Sequence, residues 1–114
     1  MSNLRNSVTL IGNLGKDPEI RNFGTGKMKV TFSLATKDTY RNQKGEKVTE
    51  TQWHNIVAWG HMAEIASEFL KKGQEIAIEG RLAYRTYETK KGEKRFVTEI
   101  TAHEVVMLAK RAQT

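Results

Sequence analysis

The sequence predicts an all-β domain with one helix, and three observations support this. With 114 residues, 38% hydrophobic and 28% charged, the chain is long enough for one hydrophobic core and too short for several domains. Apolar or β-branched residues recur at every second position in five stretches, which is the period of a half-buried strand. One further stretch has the three-to-four-residue spacing of an amphipathic helix.

The five predicted strands form one leading strand and two long hairpins. In chain order they cover about residues 7–14, 28–40, 48–59, 75–88 and 95–108. A polar loop with one glycine, residues 42–46, joins the second strand to the third, and residues 90–93 repeat this design between the fourth and the fifth. Glycine and polar residues of this kind are typical of hairpin connections.

The predicted helix spans residues 61–72, between the third and fourth strands. Its apolar stripe consists of Met62, Ile65, Ala66 and Phe69. Lys71 and Lys72 oppose the negative end of the helix dipole, and Gly73 can adopt the left-handed conformation that ends a helix. Five strands with a helix between the third and the fourth is the order of an OB-fold, a five-stranded Greek-key barrel, in which this helix plugs one open end.

Charge and composition narrow the classes of function. The net charge of +6 and a pI near 9.7 make polyanions the first partners to consider. The absence of cysteine excludes disulfides, thiolate nucleophiles and cysteine-containing zinc sites, and it fits a reducing compartment. The longest apolar run, residues 105–109, is far short of a membrane span, and the N-terminus has no apolar signal segment. We therefore expect a soluble, cytoplasmic protein with no membrane partner.

No motif in the sequence predicts catalysis, a metal or a cofactor. The three histidines, at positions 54, 61 and 103, form no HExxH-type pair and have no acid-rich cluster beside them. Residues 24–27 share a glycine and a lysine with phosphate-binding loops, but the other residues of that motif and its helix are missing. A mobile hairpin tip is the better interpretation.

The two tryptophans are the most informative aromatic residues. Trp53 and Trp59 are six positions apart on one strand, so the pleat places both on one face together with Val57. A tryptophan pair on a strand usually belongs to the core. The opposite face, however, already offers Ile56 to the barrel interior, and a barrel of this size has little room for two indoles. Periodicity alone leaves both interpretations open.

Basic and further aromatic residues lie on the two hairpins. Tyr40 precedes Arg41, and Tyr84 and Tyr87 lie on either side of Arg85. Single-stranded nucleic acid needs cations that follow its phosphates and flat side chains that stack on its bases, and both occur on these segments. The alternative is a pair of solvated hairpins with cross-strand charge pairs.

Five sequence blocks resemble a known family. Residues 8–18, Val-Thr-Leu-Ile-Gly-Asn-Leu-Gly-Lys-Asp-Pro, are similar to the opening of the bacterial single-stranded DNA-binding protein family. Residues 50–57, Glu-Thr-Gln-Trp-His-Asn-Ile-Val, resemble a second block of that family. Three more blocks, at residues 32–36, 63–73 and 78–82, follow in the family's order and spacing. The resemblance covers about residues 3–108, and the joint match is highly specific.

The resemblance implies an OB-fold that assembles, usually as a homotetramer, and wraps single-stranded DNA during replication, recombination and repair without catalysing a reaction. It implies base stacking on Tyr40, Trp53, Trp59 and Tyr87, two of which are often tryptophan in the family. His54 matches a position associated with subunit contacts. The implied phosphate contacts are Lys37, Arg41, Lys44, Arg81, Arg85, Lys90, Lys91, Lys94 and Arg95. The implied location is the cytoplasm, in association with the nucleoid.

The sequence departs from the family at its end. Residues 1–108 are expected to form the DNA-binding domain, and residues 109–114 a short, flexible tail. Family members typically continue into a flexible linker and an acidic tip that recruits replication and repair proteins, whereas this tail is basic. Recruitment by such a tip is therefore not carried over, and the chain is either shortened or a naturally short family member.

Three other functions remain to be compared with a single-stranded DNA coat. A primosomal replication-restart protein of the same fold would be a dimer, which a size measurement separates from a tetramer. An RNA-binding OB module would prefer RNA in competition with a matched DNA strand. A nuclease or ligase fragment is disfavoured because the sequence contains no carboxylate cluster of the kind that holds Mg²⁺.

Overall fold

The computed structural model describes residues 4–24 and 27–108. Its elements, in chain order, are β1 (Val8–Leu14), β2 (Glu19–Asn22), β3 (Met28–Arg41), β4 (Lys47–Trp59), α1 (Gly60–Phe69), β5 (Glu75–Glu88) and β6 (Lys94–Met107). The strand order in the sheet is β1-β5-β6-β4-β3-β2, and an additional pairing of β1 with β3 closes five of the strands into a barrel. The predicted five-stranded OB-fold with one helix is confirmed.

The barrel consists of two long hairpins joined by short pairings. The β3–β4 and β5–β6 hairpins are each paired along nearly their whole length. By contrast, β1 meets β3 only at Asn13 and Leu14, and β4 runs parallel to β6 only at Ile56 and Val57. Gly12 lies at the first of these junctions, where a Cβ atom would collide with the carbonyl oxygen of Ala35. Glycine is needed there because the two backbones approach too closely for a side chain.

One apolar core fills the barrel. Every barrel strand directs alternate residues into this core, as the two-residue period requires, and Ala35 and Val57 are buried as well on the outer side of β3 and β4. The core residues are Leu14, Val30, Phe32, Leu34, Ile56, Ala58, Ala63, Ala66, Leu70, Ile76, Ile78, Ile100 and Ala102. Burying a side chain such as Leu34 or Ile56 contributes about 1.5–3 kcal/mol. Truncating Leu34 to alanine is expected to cost about 2–5 kcal/mol because the neighbouring side chains cannot fill the cavity.

The helix is shorter than predicted. It ends at Phe69 because Leu70 adopts an extended conformation, with φ −92 and ψ 136, and enters the core. Beyond it, the Lys72 amide donates to Asp17 Oδ1 and the Gly73 amide donates to the Leu14 carbonyl. These long-range bonds turn the chain away from the helix axis. The two lysines therefore lie outside the helix, and Gly73, with φ +84, serves a turn instead of the helix end.

The buried stripe of the helix also differs from the predicted one. Ala63 and Ala66 are fully buried, whereas Phe69, expected in the core, is 50% exposed. Met62 packs against the core and is only partly buried. Small alanine side chains let α1 approach the barrel closely, so the larger residues lie along its sides. At ten residues α1 is too short to span a bilayer, and no helix among the described residues is long and apolar enough to do so.

Strand β2 was not predicted. All four of its residues are exposed, so its sequence carries no alternation between apolar and polar positions. It pairs with the edge of β3, and the Phe23 amide donates to the Lys27 carbonyl at 2.8 Å to close the hairpin between them. The hairpin tip predicted at residues 24–27 belongs to this turn, although residues 25 and 26 lie outside the described residues, as does the tail predicted at 109–114.

Candidate nucleic-acid interface

The outer side of the β3–β4 hairpin, here called the front face, gathers aromatic and basic residues. Residues directly opposite each other in an antiparallel pair point to the same side, so the pairing fixes the members of this face. Trp53 lies opposite Ala35, and Trp59 opposite Lys29. The cations of the front face are Lys29, Lys37, Arg41 and Lys47. No carboxylate stands in these rows, all of which the structure describes.

Trp53 is an exposed residue. Its side chain is 62% exposed, which excludes the core alternative. The ring rests on Gly15, where a Cβ atom would come within 2.5 Å of the indole Cζ3. The Gly15 amide donates to the Ser33 carbonyl at 3.0 Å and so fixes this support. The indole therefore has a backbone support beneath it while most of its surface faces solvent.

Trp59 is also exposed, at 51%, but it has side-chain neighbours. The ring of Phe23 is stacked with it, at a centroid distance of 6.2 Å and an interplanar angle of 28°. Lys29 Nζ lies 5.3 Å from the centre of the indole, within cation–π range. The sequence interpretation missed both neighbours. The hairpin register could have found Lys29, whereas Phe23 depends on the unpredicted β2.

A cleft of about 410 Å³ lies on the front face between the levels of the two tryptophans. Residues of its floor and walls are Lys16, Asp17, Glu19, Thr31, Ser33, Asn55, Val57, Arg85, Val97 and Glu99. Val57, which the alternation places on the face of the tryptophans, is only 3% exposed. It is buried because β6 pairs alongside it at Thr101 and the cleft walls rise on both sides.

Tyr87 lies on the outer side of β5, two residues from Arg85. Two nitrogen atoms of Arg85 bond the carboxylate of Glu99, Nε at 3.1 Å and Nη2 at 3.0 Å from Oε2. The hydrogen bond and the charge of Glu99 raise the pKa of Arg85 above its ordinary value. The guanidinium also lies 5.9 Å from the centre of the Tyr87 ring. Arg85 therefore links a wall of the cleft to Tyr87.

Tyr40 is placed differently from the tryptophans. By the pleat it points to the opposite side of the β3–β4 hairpin, where it is 44% exposed. Its hydroxyl donates to Glu50 Oε1 at 2.9 Å. This hydrogen bond, with the charge of Glu50, raises the pKa of Tyr40 above its ordinary value of 10.0. The four predicted stacking residues thus occupy three surfaces. Trp53 and Trp59 share the front face, whereas Tyr40 lies on the other side of the β3–β4 hairpin and Tyr87 lies on the β5–β6 hairpin.

All nine predicted phosphate contacts are exposed. Arg85 pairs with Glu99 and Arg95 with Glu93, and Arg41 donates to the carbonyl of Gly45 in its own turn. The remaining six have no acidic partner within 4.0 Å in the described part of the chain: Lys37, Lys44, Arg81, Lys90, Lys91 and Lys94. The cross-strand charge pairs of the alternative interpretation therefore hold only a minority of these cations.

His54 points away from Trp53, as the alternation predicts. It lies opposite Leu34 and is half-buried, and its Nε2 is 2.9 Å from the hydroxyl of Thr36. The role of His54 in a subunit contact stays a prediction. Within residues 4–24 and 27–108, no group of three His, Asp or Glu side chains could hold a metal ion.

The closed barrel and its basic, aromatic front face define a protein of the OB-fold class, in which this face binds oligonucleotides or oligosaccharides. Residues 5–108 match the model of the single-strand binding protein family. The chain belongs to that family, as its sequence blocks predicted.

Curated relatives and a solved structure agree. The "Single-stranded DNA-binding protein 1" of Xylella fastidiosa is 49% identical over 93% of this chain and 79% of its own length. The protein of the same name from Chlorobaculum tepidum is 45% identical over 90% of this chain and 64% of its own. A structure described as "Plasmodium falciparum SSB complex with ssDNA" superposes with a TM-score of 0.82 at 29% identity, covering 91% of this chain and 95% of that one. The chain thus spans between about two thirds and four fifths of these curated relatives.

Proposed function

We propose that this protein binds single-stranded DNA and coats it during replication, recombination and repair, without catalysing a reaction. The observation that carries the proposal is the front face, whose β3–β4 rows hold two exposed tryptophans and four cations and no carboxylate. Membership of the single-strand binding protein family supports it. We propose that it acts in the cytoplasm on nucleoid DNA.

Binding on this face would be largely independent of base sequence. Each stacked base contributes about 1–3 kcal/mol, and every base has a flat face that an indole can contact. Trp53 already rests on Gly15, and Trp59 is contacted by Phe23 and Lys29. Supported rings lose little freedom when a base stacks on them, so more of the stacking free energy is retained as affinity.

The two long hairpins would extend the path of the DNA strand beyond the front face. Tyr87 and Tyr40 each carry a flat ring, and a carboxylate orients each of them, Glu99 through Arg85 and Glu50 directly. Lysines without an acidic partner among the described residues lie on both hairpins and offer their charges to the phosphates of the DNA. We propose that these contacts follow the strand away from the front face, with Tyr40 reached around the edge of its hairpin.

Assembly would bring several such faces into one particle. The outer side of β1, together with residues 75–79 of β5 and 104–107 of β6 that lie beside it, is here called the back face and carries the cross-strand row Ile11, Ala77 and Val106. Ile11 is 57% and Val106 49% exposed, and exposed apolar rows favour association. We propose that copies of the chain meet on this face as a homotetramer. The front faces then point outward, and a long strand gains avidity by contacting several of them.

Titration of oligo-dT of increasing length, followed by tryptophan emission and by analytical ultracentrifugation, tests function and assembly together. We expect emission to be quenched on binding and the free protein to sediment as a tetramer at micromolar concentration. A matched RNA strand should compete weakly. Preference for RNA would favour the RNA-binding alternative, and a dimer would favour the replication-restart alternative.

Two substitutions test where the copies meet. Ile11→Glu, which places a charge in the apolar row, should shift the particle toward smaller species, whereas Ile11→Val should not. His54→Glu tests the predicted subunit contact in the same way. In both charged variants, binding to long DNA should weaken more than binding to short oligomers. A monomer in the unmodified protein would refute the assembly proposal.

A further inference from the structure

A second, apolar cleft adjoins the front face where the β2–β3 turn meets the start of α1. It measures about 420 Å³, and the residues around it are Phe23, Lys27, Met28, Trp59 and Gly60. Its walls are almost entirely carbon, although Phe23 and Trp59 are each about half exposed. Apolar clefts left open to water in this way mark ligand sites.

We propose that this cleft binds one base of the DNA strand and that Phe23 is a fifth stacking residue, beyond the four implied by the family resemblance. The proposal rests on the proposed single-stranded DNA binding. Phe23 and Trp59 lie nearly parallel, 28° apart, at an offset of 6.2 Å between ring centres. A base can extend such a stack because offset arrangements of aromatic rings are favourable.

Local structure holds Phe23 in place. The pairing of Asn22 with Met28 fixes the last residue of β2, and the Phe23 amide donates to the Lys27 carbonyl directly after it. The ring is therefore placed at the end of a hydrogen-bonded hairpin and needs little ordering when a base arrives. An exposed aromatic ring held in this way is expected to add affinity at low entropic cost.

Charge and continuity favour a base over an apolar peptide as the occupant. Lys27 borders the cleft, and Lys29 Nζ lies 5.3 Å from the Trp59 ring, so cations accompany the apolar walls. A nucleotide presents that combination, a flat base attached to a phosphate. Trp59 belongs both to this cleft and to the front face, so a strand that leaves the front face meets Phe23 next.

Three variants test Phe23. Phe23→Leu keeps an apolar side chain and removes the ring, and Phe23→Tyr restores a ring. Phe69→Leu is the matched control, since Phe69 is 50% exposed against 53% for Phe23 and lies at the other end of α1. We expect Phe23→Leu to weaken oligo-dT binding about five- to tenfold, near the lower limit for one lost stack, and the other two to stay within about twofold of the parent.

Spectroscopy separates stacking from a packing role. With Trp53→Phe in all proteins, Trp59 is the sole tryptophan, because the chain has two. Oligo-dT should quench its emission, and Phe23→Leu should reduce that quenching at saturation. If Phe23→Leu changes the emission of the free protein but neither its quenching nor the affinity, Phe23 only packs against Trp59 and the proposal is wrong.

Photochemical cross-linking gives a result that does not depend on the folding of any variant. Iodouracil-substituted oligo-dT, irradiated with the unmodified protein, should yield a cross-linked peptide that contains Phe23. Cross-links confined to the four predicted stacking residues would overturn the fifth site and leave the proposed function standing. Failure of the unmodified protein to bind oligo-dT at all would instead overturn the proposed function.

Discussion

The front and back faces of the barrel are built by the same rule and differ in residue type. Both consist of every second residue of paired strands, directed outward over the same core. The front face has two tryptophans and four cations, and no acid in its rows. The rows of the back face place Glu75, Glu79 and Glu104 around the apolar residues Ile11 and Val106, and the first cation beyond these rows on β5 is Arg81, opposite Thr101.

This difference in residue type directs the two expected partners, DNA and a second copy of the chain, to different faces. A polyanion is attracted to the front face and repelled by the carboxylates of the back face, and at physiological ionic strength neither effect reaches much beyond about 8 Å. The apolar row of the back face therefore remains available to another protein surface while DNA occupies the front. One small barrel could therefore bind DNA and form the proposed assembly without one contact blocking the other.

The largest effect expected from this comparison is that of salt. Each neutralised phosphate of a single strand contributes about −0.7 to the slope of log affinity against log salt, so the four front-face cations alone predict a slope of about −2.8 and a loss of about 600-fold per tenfold increase in salt. Fluorescence titrations of mixed-sequence DNA at several salt concentrations measure the slope. A slope near zero would contradict phosphate contacts on the front face.

The next largest effect is expected from the tryptophans. Trp53→Ala and Trp59→Ala should each cost about 1–3 kcal/mol of binding free energy, because each removes one stacking surface. Both residues are more than half exposed, so the melting temperature should change little. Phe69→Ala is the control for loss of an exposed ring away from the front face. Normal binding by both tryptophan variants would rule out base stacking on this face.

Charge reversal compares the two faces directly. Lys37 forms no ion pair with an acidic residue in the part of the chain that the structure describes, so its full charge is available to a phosphate. Lys37→Glu on the front face should therefore weaken binding of a short oligo-dT about three- to tenfold and reduce the salt slope by about 0.7. Glu79→Lys on the back face makes the opposite change and should leave that affinity unchanged. Equal effects of opposite sign would show that net charge, and not the position of the charge, governs binding.

The smallest effect concerns pH. The hydrogen bond to Glu50 raises the pKa of Tyr40 above 10.0, so the folded protein favours the protonated phenol. The contribution of this hydrogen bond to the stability of the folded protein is complete below the ordinary pKa of tyrosine. It is lost only as the pH rises through the higher pKa of the folded state. Binding near neutral pH should therefore not depend on this group. Ultraviolet titration of the protein and of Glu50→Gln checks the sign, since the substitution should lower the pKa of Tyr40.

Alternation in the sequence predicted most of the fold because each barrel strand buries one face. It could not reveal β2, which buries neither face, and hence it missed Phe23 as a neighbour of Trp59. The helix end was misplaced because the bond from the Lys72 amide to Asp17 joins residues far apart in the chain. Periodicity also placed both tryptophans on one face without showing whether that face was covered.

The four site residues implied by the family resemblance are all exposed, but their relative placement needed the structure. Tyr40 points to the other side of its hairpin from Trp53, which the even and odd positions of the two residues already indicate. The bond between Arg85 and Glu99 required the register of the β5–β6 hairpin. Residue type predicted which side chains suit contact with DNA, and strand pairing determined which of them lie together.

The two short junctions of the barrel have a mechanical consequence. The long hairpins are stiff units of local contacts, whereas β1 joins β3, and β4 joins β6, through only a few residues such as Leu14 and Ile56. Opening fluctuations should concentrate at these junctions, and amides there should exchange with solvent sooner than those within the hairpins. A strand lying in the cleft would contact Asn55 of one hairpin and Arg85 of the other. Bound DNA would thus bridge the junction between β4 and β6 and slow exchange there.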